Sequence, residues 1–206
     1  MKKILVLIIL LFFGIINVNA STNTAYEYIL MDAGTGRILA GKNYNTRALI
    51  ASITKIMTCI ITIESNKLDD TVKVTDIINK SYGSGIYIEI GEEITLRDLL
   101  YGLMLRSGND AALVISEYVG QTTEEFVIKM NNKAKELGMT NTKFVNPSGL
   151  DNNDSGNYST AYDMAILTRY AMKNKEYRKI VKTKKYTVKT NKKTYIWKNK
   201  NKLLSE

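Results

Sequence analysis

The 206-residue chain contains no histidine at all. A Ser-His-Asp triad and any histidine-ligated metal site are therefore excluded. Cys59 is the only cysteine, so no intrachain disulfide can form and the fold must be held by its core. The thiol lies inside an apolar run and reads as a buried structural group, because reactive cysteines sit in exposed, electropositive surroundings. Pro147 is the only proline, and with 45% hydrophobic and 24% charged residues the composition is that of a folded globular protein. Internal repeats and low-complexity linkers are also missing, which leaves one ordinary domain with a sizeable core.

Acidic residues are the minority among the charges: 20 Asp and Glu face 29 Lys and Arg, a net +9. Much of the excess follows Lys173, in a stretch that also carries Tyr177, Tyr186, Tyr195 and Trp197. Basic residues with interleaved aromatics are a footprint of single-stranded nucleic acid binding. No nucleic-acid motif accompanies them here. Lysines alternating with apolar residues instead suit the wet face of strands, so no nucleic-acid partner is expected.

At the start of the chain, Lys2-Lys3 precede an apolar run from Ile4 to Ile16, and Val18-Asn19-Ala20 follow. This is the pattern of a secretory signal peptide, with residues 1–20 removed after Ala20 and 21–206 forming the domain. An uncleaved anchor is the alternative, but a spanning helix needs about 20 apolar residues and this run is shorter. Membrane association stays open, with no anchor seen. An exported protein makes a nucleic-acid partner less fitting still.

The hydrophobic pattern predicts a hairpin first, from Tyr26–Met31 through the turn Asp32–Gly36 to Arg37–Ala40. A helix follows from Ser52 to about Ser65. Short strands are expected over Thr71–Val74 and Ile86–Ile90, with a flexible loop, Ser81–Gly85, between them. Thr95 and Asp98 form a capping box that opens a helix over Leu96–Leu105. Further helices are predicted over Asp110–Val119, from about Thr122 to Gly138, and from about Ser159 to Met172. A second hairpin pairs Lys185–Lys189 with Thr194–Lys198. Strands, then helices, then strands again read as an α+β fold: an antiparallel sheet with an inserted helical layer.

Two polar constellations interrupt this pattern. The first is Ser52-Ile53-Thr54-Lys55, at the head of the apolar run Ile56–Ile63. Positions i and i+3 of a helix share a face, so Ser52 and Lys55 can meet. A serine hydroxyl is a weak nucleophile until a neighbour removes its proton, and lysine can do so once desolvation or a second cation lowers its pKa. In a chain without histidine, lysine is the obvious base. The second constellation, Ser107-Gly108-Asn109, lies between two helices. Alone it reads as a loop, and alone Ser-x-x-Lys is a weak signal. Together they form two of the three signatures of penicillin-binding proteins and class A β-lactamases.

Five stretches extend the likeness: Asp32–Arg37, Ala51–Thr58, Leu99–Ala112, Asn146–Leu150 and Ser159–Met164. On these the chain resembles the serine D-alanyl-D-alanine carboxypeptidases, low-molecular-mass penicillin-binding proteins that trim peptidoglycan stem peptides. The resemblance implies a β-lactamase/transpeptidase-like fold. It also implies Ser52 as the nucleophile that becomes the acyl-enzyme and Lys55 as its base. Ser107 is implied as the proton relay to the leaving D-alanine, paired with Asn109, which holds the substrate amide. The expected partners are a stem peptide ending in D-Ala-D-Ala and β-lactams as covalent inhibitors; no cofactor or metal is implied.

The likeness is incomplete. The third signature, Lys-Thr-Gly, is absent: Lys182-Thr183, Lys189-Thr190 and Lys193-Thr194 all lack a following glycine. The expectation is a chain truncated before that motif, with a sheet incomplete at its C-terminus, one substrate-binding lysine fewer and one oxyanion donor fewer. Ile50 stands where the family usually has proline. Two other readings stay open: an impaired relative that only binds wall peptide or a partner, and a β-lactamase. No stretch nominates the deacylating glutamate that a β-lactamase would use.

Overall fold

The computed structural model describes residues 24–151 and 155–204. The expected signal peptide lies outside these residues. The helix centred on Ile60 organises the rest. This helix, α1 (Lys55–Glu64), is preceded by a 3-10 turn over Ala51–Thr54. Its buried residues include Met57, Cys59, Ile60, Ile61 and Ile63, together with Thr58 and Thr62. A helix apolar on nearly all sides belongs in a core. The two threonines fit there because each hydroxyl has an acceptor: Thr58 Oγ1 donates to the Pro147 carbonyl (2.6 Å) and Thr62 Oγ1 to the Thr58 carbonyl (2.7 Å). Cys59 is fully buried and unpaired, as expected, and burial pushes its thiol pKa far up.

Five helices pack on α1: α2 (Leu96–Arg106), α3 (Asn109–Gly120), α4 (Thr123–Glu136), α5 (Ala161–Ala171) and α6 (Lys175–Val181). Their starts follow side-chain capping chemistry. Thr95 accepts from Asp98 N, Thr122 from Glu125 N, and Thr160 from Asp163 N. Helix α6 was not expected, because its lysines hide a short apolar face. Asn174, which accepts from Glu176 N and Tyr177 N, and the spacing of Tyr177, Ile180 and Val181 were the signals present.

Among the described residues the strands form four separate antiparallel pairs. These are β1 (Tyr28–Met31) with β2 (Ile38–Lys42), β3 (Ala48–Leu49) with β6 (Tyr158–Ser159), β4 (Thr71–Lys73) with β5 (Glu93–Thr95), and β7 (Lys185–Lys189) with β8 (Thr194–Lys198). The chain is thus α+β as expected, with its strands distributed over two-stranded ladders rather than one continuous sheet. The two predicted hairpins are β1–β2 and β7–β8. In the latter, Val188, Tyr195 and Trp197 face inward while Lys185, Lys189 and Lys198 face water. Tyr101 of α2 stacks on Tyr186 with centroids 3.6 Å apart, and Trp197 lies 6.3 Å beyond.

One predicted strand is absent. Residues 86–89 alternate in burial, with Ile86 and Ile88 inside and Ile90 exposed, yet residues 86–90 join no ladder. Their amides are taken by side chains instead: Ile86 and Tyr87 donate to the Asp110 carboxylate, and Glu89 donates to Glu92. Tyr87 also adopts a left-handed conformation (φ 60°), which ends any extended run.

The aromatic stack ties the β7–β8 hairpin to α2. Trp197→Ala is accordingly expected to lower the unfolding free energy by about 3–5 kcal/mol in urea titrations. A loss below about 1 kcal/mol would mean that the hairpin is not part of the cooperative core.

Candidate active site

The 3-10 turn places Ser52 at the surface and Lys55 in the interior, where it is 3% exposed. The Lys55 ammonium donates to three oxygens: Ser52 Oγ at 3.1 Å, Asn109 Oδ1 at 2.8 Å and the Ser148 carbonyl at 2.5 Å. Three acceptors match the three protons of an ammonium group, so each N–H has an oxygen in reach. Burial nevertheless dominates its acidity. Desolvation first, and the charge of Lys200 second, pull its pKa from 10.5 down to about 8, against the opposing charge of Asp110. At pH 7 roughly one Lys55 in ten is then neutral and able to accept a proton.

The approach to Ser52 is strained. Ala51 lies at φ 43°, a region that costs a non-glycine residue on the order of 1–3 kcal/mol. The surrounding contacts that hold it come from the Asn146–Leu150 loop and Asn157. Gly149, itself at φ 80°, packs directly on the Ala51 carbonyl, so that any Cβ there would collide with backbone. Asn157 is fully buried and bridges both sides. Its Nδ2 donates to Thr54 Oγ1 (2.9 Å) and the Asn146 carbonyl (2.9 Å), and its Oδ1 accepts from Val145 N and Asn146 N. The Ile50 amide donates to the Asn157 carbonyl at 3.0 Å. A proline at position 50 has no N–H, so this bond is open to isoleucine and closed to the residue the resemblance leads one to expect.

On the opposite side, Ser107 caps α2 in a left-handed conformation (φ 62°), which turns the chain sharply into α3. Asn109 follows in the first turn of α3, 2% exposed. Its amide orientation is fixed from both ends, because Oδ1 accepts from Lys55 while Nδ2 donates to the Tyr82 carbonyl at 2.7 Å. The structure thus joins three of the four expected residues, Ser52, Lys55 and Asn109, in one hydrogen-bonded cluster. Ser107 is beside them in the chain, but among the described residues its hydroxyl makes no hydrogen bond to the other three.

Two contributors escaped the sequence reading. Ser148 enters through its backbone carbonyl, which leaves no mark on residue type. Gly149 acts by having no side chain; its signal was the Asn-Pro-Ser-Gly turn, which by itself shows a bend and no partner.

Chemically, the cluster offers an exposed hydroxyl beside a lysine of lowered pKa, the arrangement needed to activate a serine for attack on a carbonyl. Because Gly149 supports the strained turn, Gly149→Ala is expected to lower stability by about 1–3 kcal/mol and to separate Ser52 from Lys55. Thermal unfolding checks the first effect. An unchanged melting temperature would contradict the close approach described here.

Similarity to known proteins extends over most of the chain. The chain is 43% identical to the D-alanyl-D-alanine carboxypeptidase DacF of Bacillus subtilis over 154 residues, covering 72% of this chain and 39% of that protein. It is 39% identical to the D-alanyl-D-alanine carboxypeptidase of Streptomyces sp. strain K15 over 195 residues, 85% of this chain and 66% of that one. The crystal structure of the Mycobacterium tuberculosis D-alanyl-D-alanine carboxypeptidase superposes with a TM-score of 0.83 at 30% identity, covering 88% of this chain and 69% of that one. The chain therefore spans about 40% of the first curated relative's length and 66% of the second's. The family profile described as D-alanyl-D-alanine carboxypeptidase (peptidase S11) matches residues 16–206, and the chain belongs to that family.

Proposed function

We propose that the protein is a serine-type D-Ala-D-Ala carboxypeptidase, which removes the terminal D-alanine from peptidoglycan stem peptides through an acyl-enzyme on Ser52. The observation that carries this is the 3.1 Å hydrogen bond between Lys55 Nζ and the exposed Ser52 hydroxyl, in a chain of this family.

In the resting cluster the ammonium donates to Ser52 Oγ. When Lys55 loses a proton, the direction of that bond reverses, and Nζ can take the hydroxyl proton as Oγ attacks the D-Ala-D-Ala carbonyl. The new C–O bond forms, the C–N bond breaks, and the leaving D-alanine carries away a proton. Ser107, two residues before Asn109, is the proposed relay for that proton. Asn109, with both amide ends fixed, orients Lys55 and borders the substrate amide. Water then hydrolyses the ester and frees Ser52. Splitting the amide hydrolysis into two steps lowers each barrier.

β-Lactams present a strained carbonyl to the same nucleophile and are the proposed covalent inhibitors. Residues 1–20 are proposed as a secretory signal, so that the enzyme acts outside the cytoplasmic membrane. Among the described residues no helix is long and apolar enough to cross a membrane.

Intact-mass measurement after incubation with penicillin tests the reading, with Ser52→Ala alongside. One adduct on the wild type and none on the variant is expected, together with D-alanine release from a pentapeptide by the wild type alone. A folded wild-type protein that takes no adduct, or a variant that takes one equally well, would overturn it.

A further inference from the structure

Residues 82–87 form a wall beside the Ser52–Lys55–Asn109 cluster without belonging to any helix or strand, and most of their backbone bonds go to the first turn of α3. Asn109 N donates to the Ser84 carbonyl at 2.8 Å and Asn109 Nδ2 to the Tyr82 carbonyl at 2.7 Å. The Asp110 carboxylate, 6% exposed, then collects the next amides in line. Its Oδ2 accepts from Tyr87 N at 2.7 Å, both of its oxygens lie 3.0 Å from Ile86 N, and Oδ1 accepts from its own helix at Ala111 N, 2.9 Å. Gly85 lies against the same carboxylate, where a Cβ would come within 3.2 Å of Oδ2.

The far end of the wall is held as firmly. Tyr87 is kept at φ 60° by Asp110 on its amide and by Lys193 Nζ (2.9 Å) and Tyr195 OH (3.2 Å) on its carbonyl. A left-handed tyrosine persists only where its surroundings over-determine it. The ring itself is left 74% exposed.

Asp110 also bears on Lys55. Among the described residues two charged groups act on that ammonium: Asp110 from α3, which favours its charged form, and Lys200 from beyond β8, which opposes it. Lys200 is brought near by its backbone amide, which donates to the Leu105 carbonyl at 3.2 Å, two residues before Ser107. The Ser52 turn and the Asn146–Leu150 loop add no charge.

We propose that Asp110 is a positioning residue, whose carboxylate fastens the 82–87 wall to the turn carrying Asn109, the side chain bonded to Lys55, and at the same time opposes the charge of Lys200 there. One buried anion thereby joins the placement of residues 82–87 to the protonation of Lys55. The consequence for turnover rests on the acyl-transfer reading above; the linkage itself does not.

The test follows the Lys55 side-chain resonance of the isotopically labelled protein through a pH titration, assigned by its loss in Lys55→Arg, together with amide exchange. Asp110→Asn is expected to move the Lys55 midpoint below its wild-type position and to speed exchange at Ile86 and Tyr87 by roughly tenfold or more. Lys200→Gln should move the midpoint the other way and leave those two amides protected. Asp110→Glu, which keeps the charge and displaces it, should hold the midpoint near wild type while exchange still accelerates. This variant and Lys200→Gln carry the test if Asp110→Asn does not fold. A Lys55 midpoint unmoved in both Asp110→Asn and Lys200→Gln overturns the electrostatic half, and unchanged exchange at Ile86 and Tyr87 in the Asp110 variants overturns the fastening. A wild-type protein that penicillin leaves unmodified would overturn the carboxypeptidase reading instead, without touching either result.

Discussion

The structure depends on a lysine kept where a lysine is costly. Lys55 is placed at the N-terminal end of an almost wholly apolar helix, and the residue is only 3% exposed. A buried ammonium is tolerable only if hydrogen-bonded, and here three separate parts of the chain converge to supply oxygens: the Ser52 turn, the head of α3, and the Asn146–Leu150 loop. The most distant of these oxygens belongs to a residue 93 positions from Lys55 in sequence. Meeting the needs of one side chain therefore fixes the relative placement of the elements that line the site. The same burial that makes the lysine costly also makes it useful, because it draws the pKa toward neutrality.

Much of the remaining architecture supports that point. The left-handed Ala51 aims Ser52 back toward Lys55, and the strain is held by Gly149 pressing on its carbonyl and by the Asn157 bridge. On the other wall, Ser107 turns α2 sharply into α3, so that Asn109 and Asp110 project from a first helical turn. The left-handed residues Ala51, Ser107 and Tyr87 all fall in segments that adjoin the Ser52–Lys55–Asn109 cluster. Such clustering is expected where geometry is maintained for chemistry at some expense of stability.

Sequence patterns made some of this legible and left the rest hidden, for physical reasons. Helices were recovered because caps and 3.6-residue periodicity are local properties; Thr95, Thr122 and Thr160 each stand at an N-cap. The β7–β8 hairpin was recovered because its inward Val188, Tyr195 and Trp197 alternate with outward lysines. The same alternation misled at Ile86–Ile90. There the burial alternates through Glu89, but the hydrogen-bond partners are the carboxylates of Asp110 and Glu92, and periodicity reports which side chains are buried, never what the amides bond to. Ser52, Lys55 and Asn109 were legible as candidates because residue type and motif spacing alone nominate them. Ser148 contributes a carbonyl, Gly149 an absence, and Asp110 a contact across 24 residues, none of which a residue type announces.

The central claim is that Lys55, when neutral, is the base that activates Ser52. The most direct test is the pH dependence of the rate at which Ser52 is acylated by penicillin. If Lys55 is that base, the rate rises with pH through a midpoint near 8, the position to which burial and Lys200 bring its pKa. A rate that stays flat across that range, or rises only near the ordinary lysine value of about 10.4, would contradict the account.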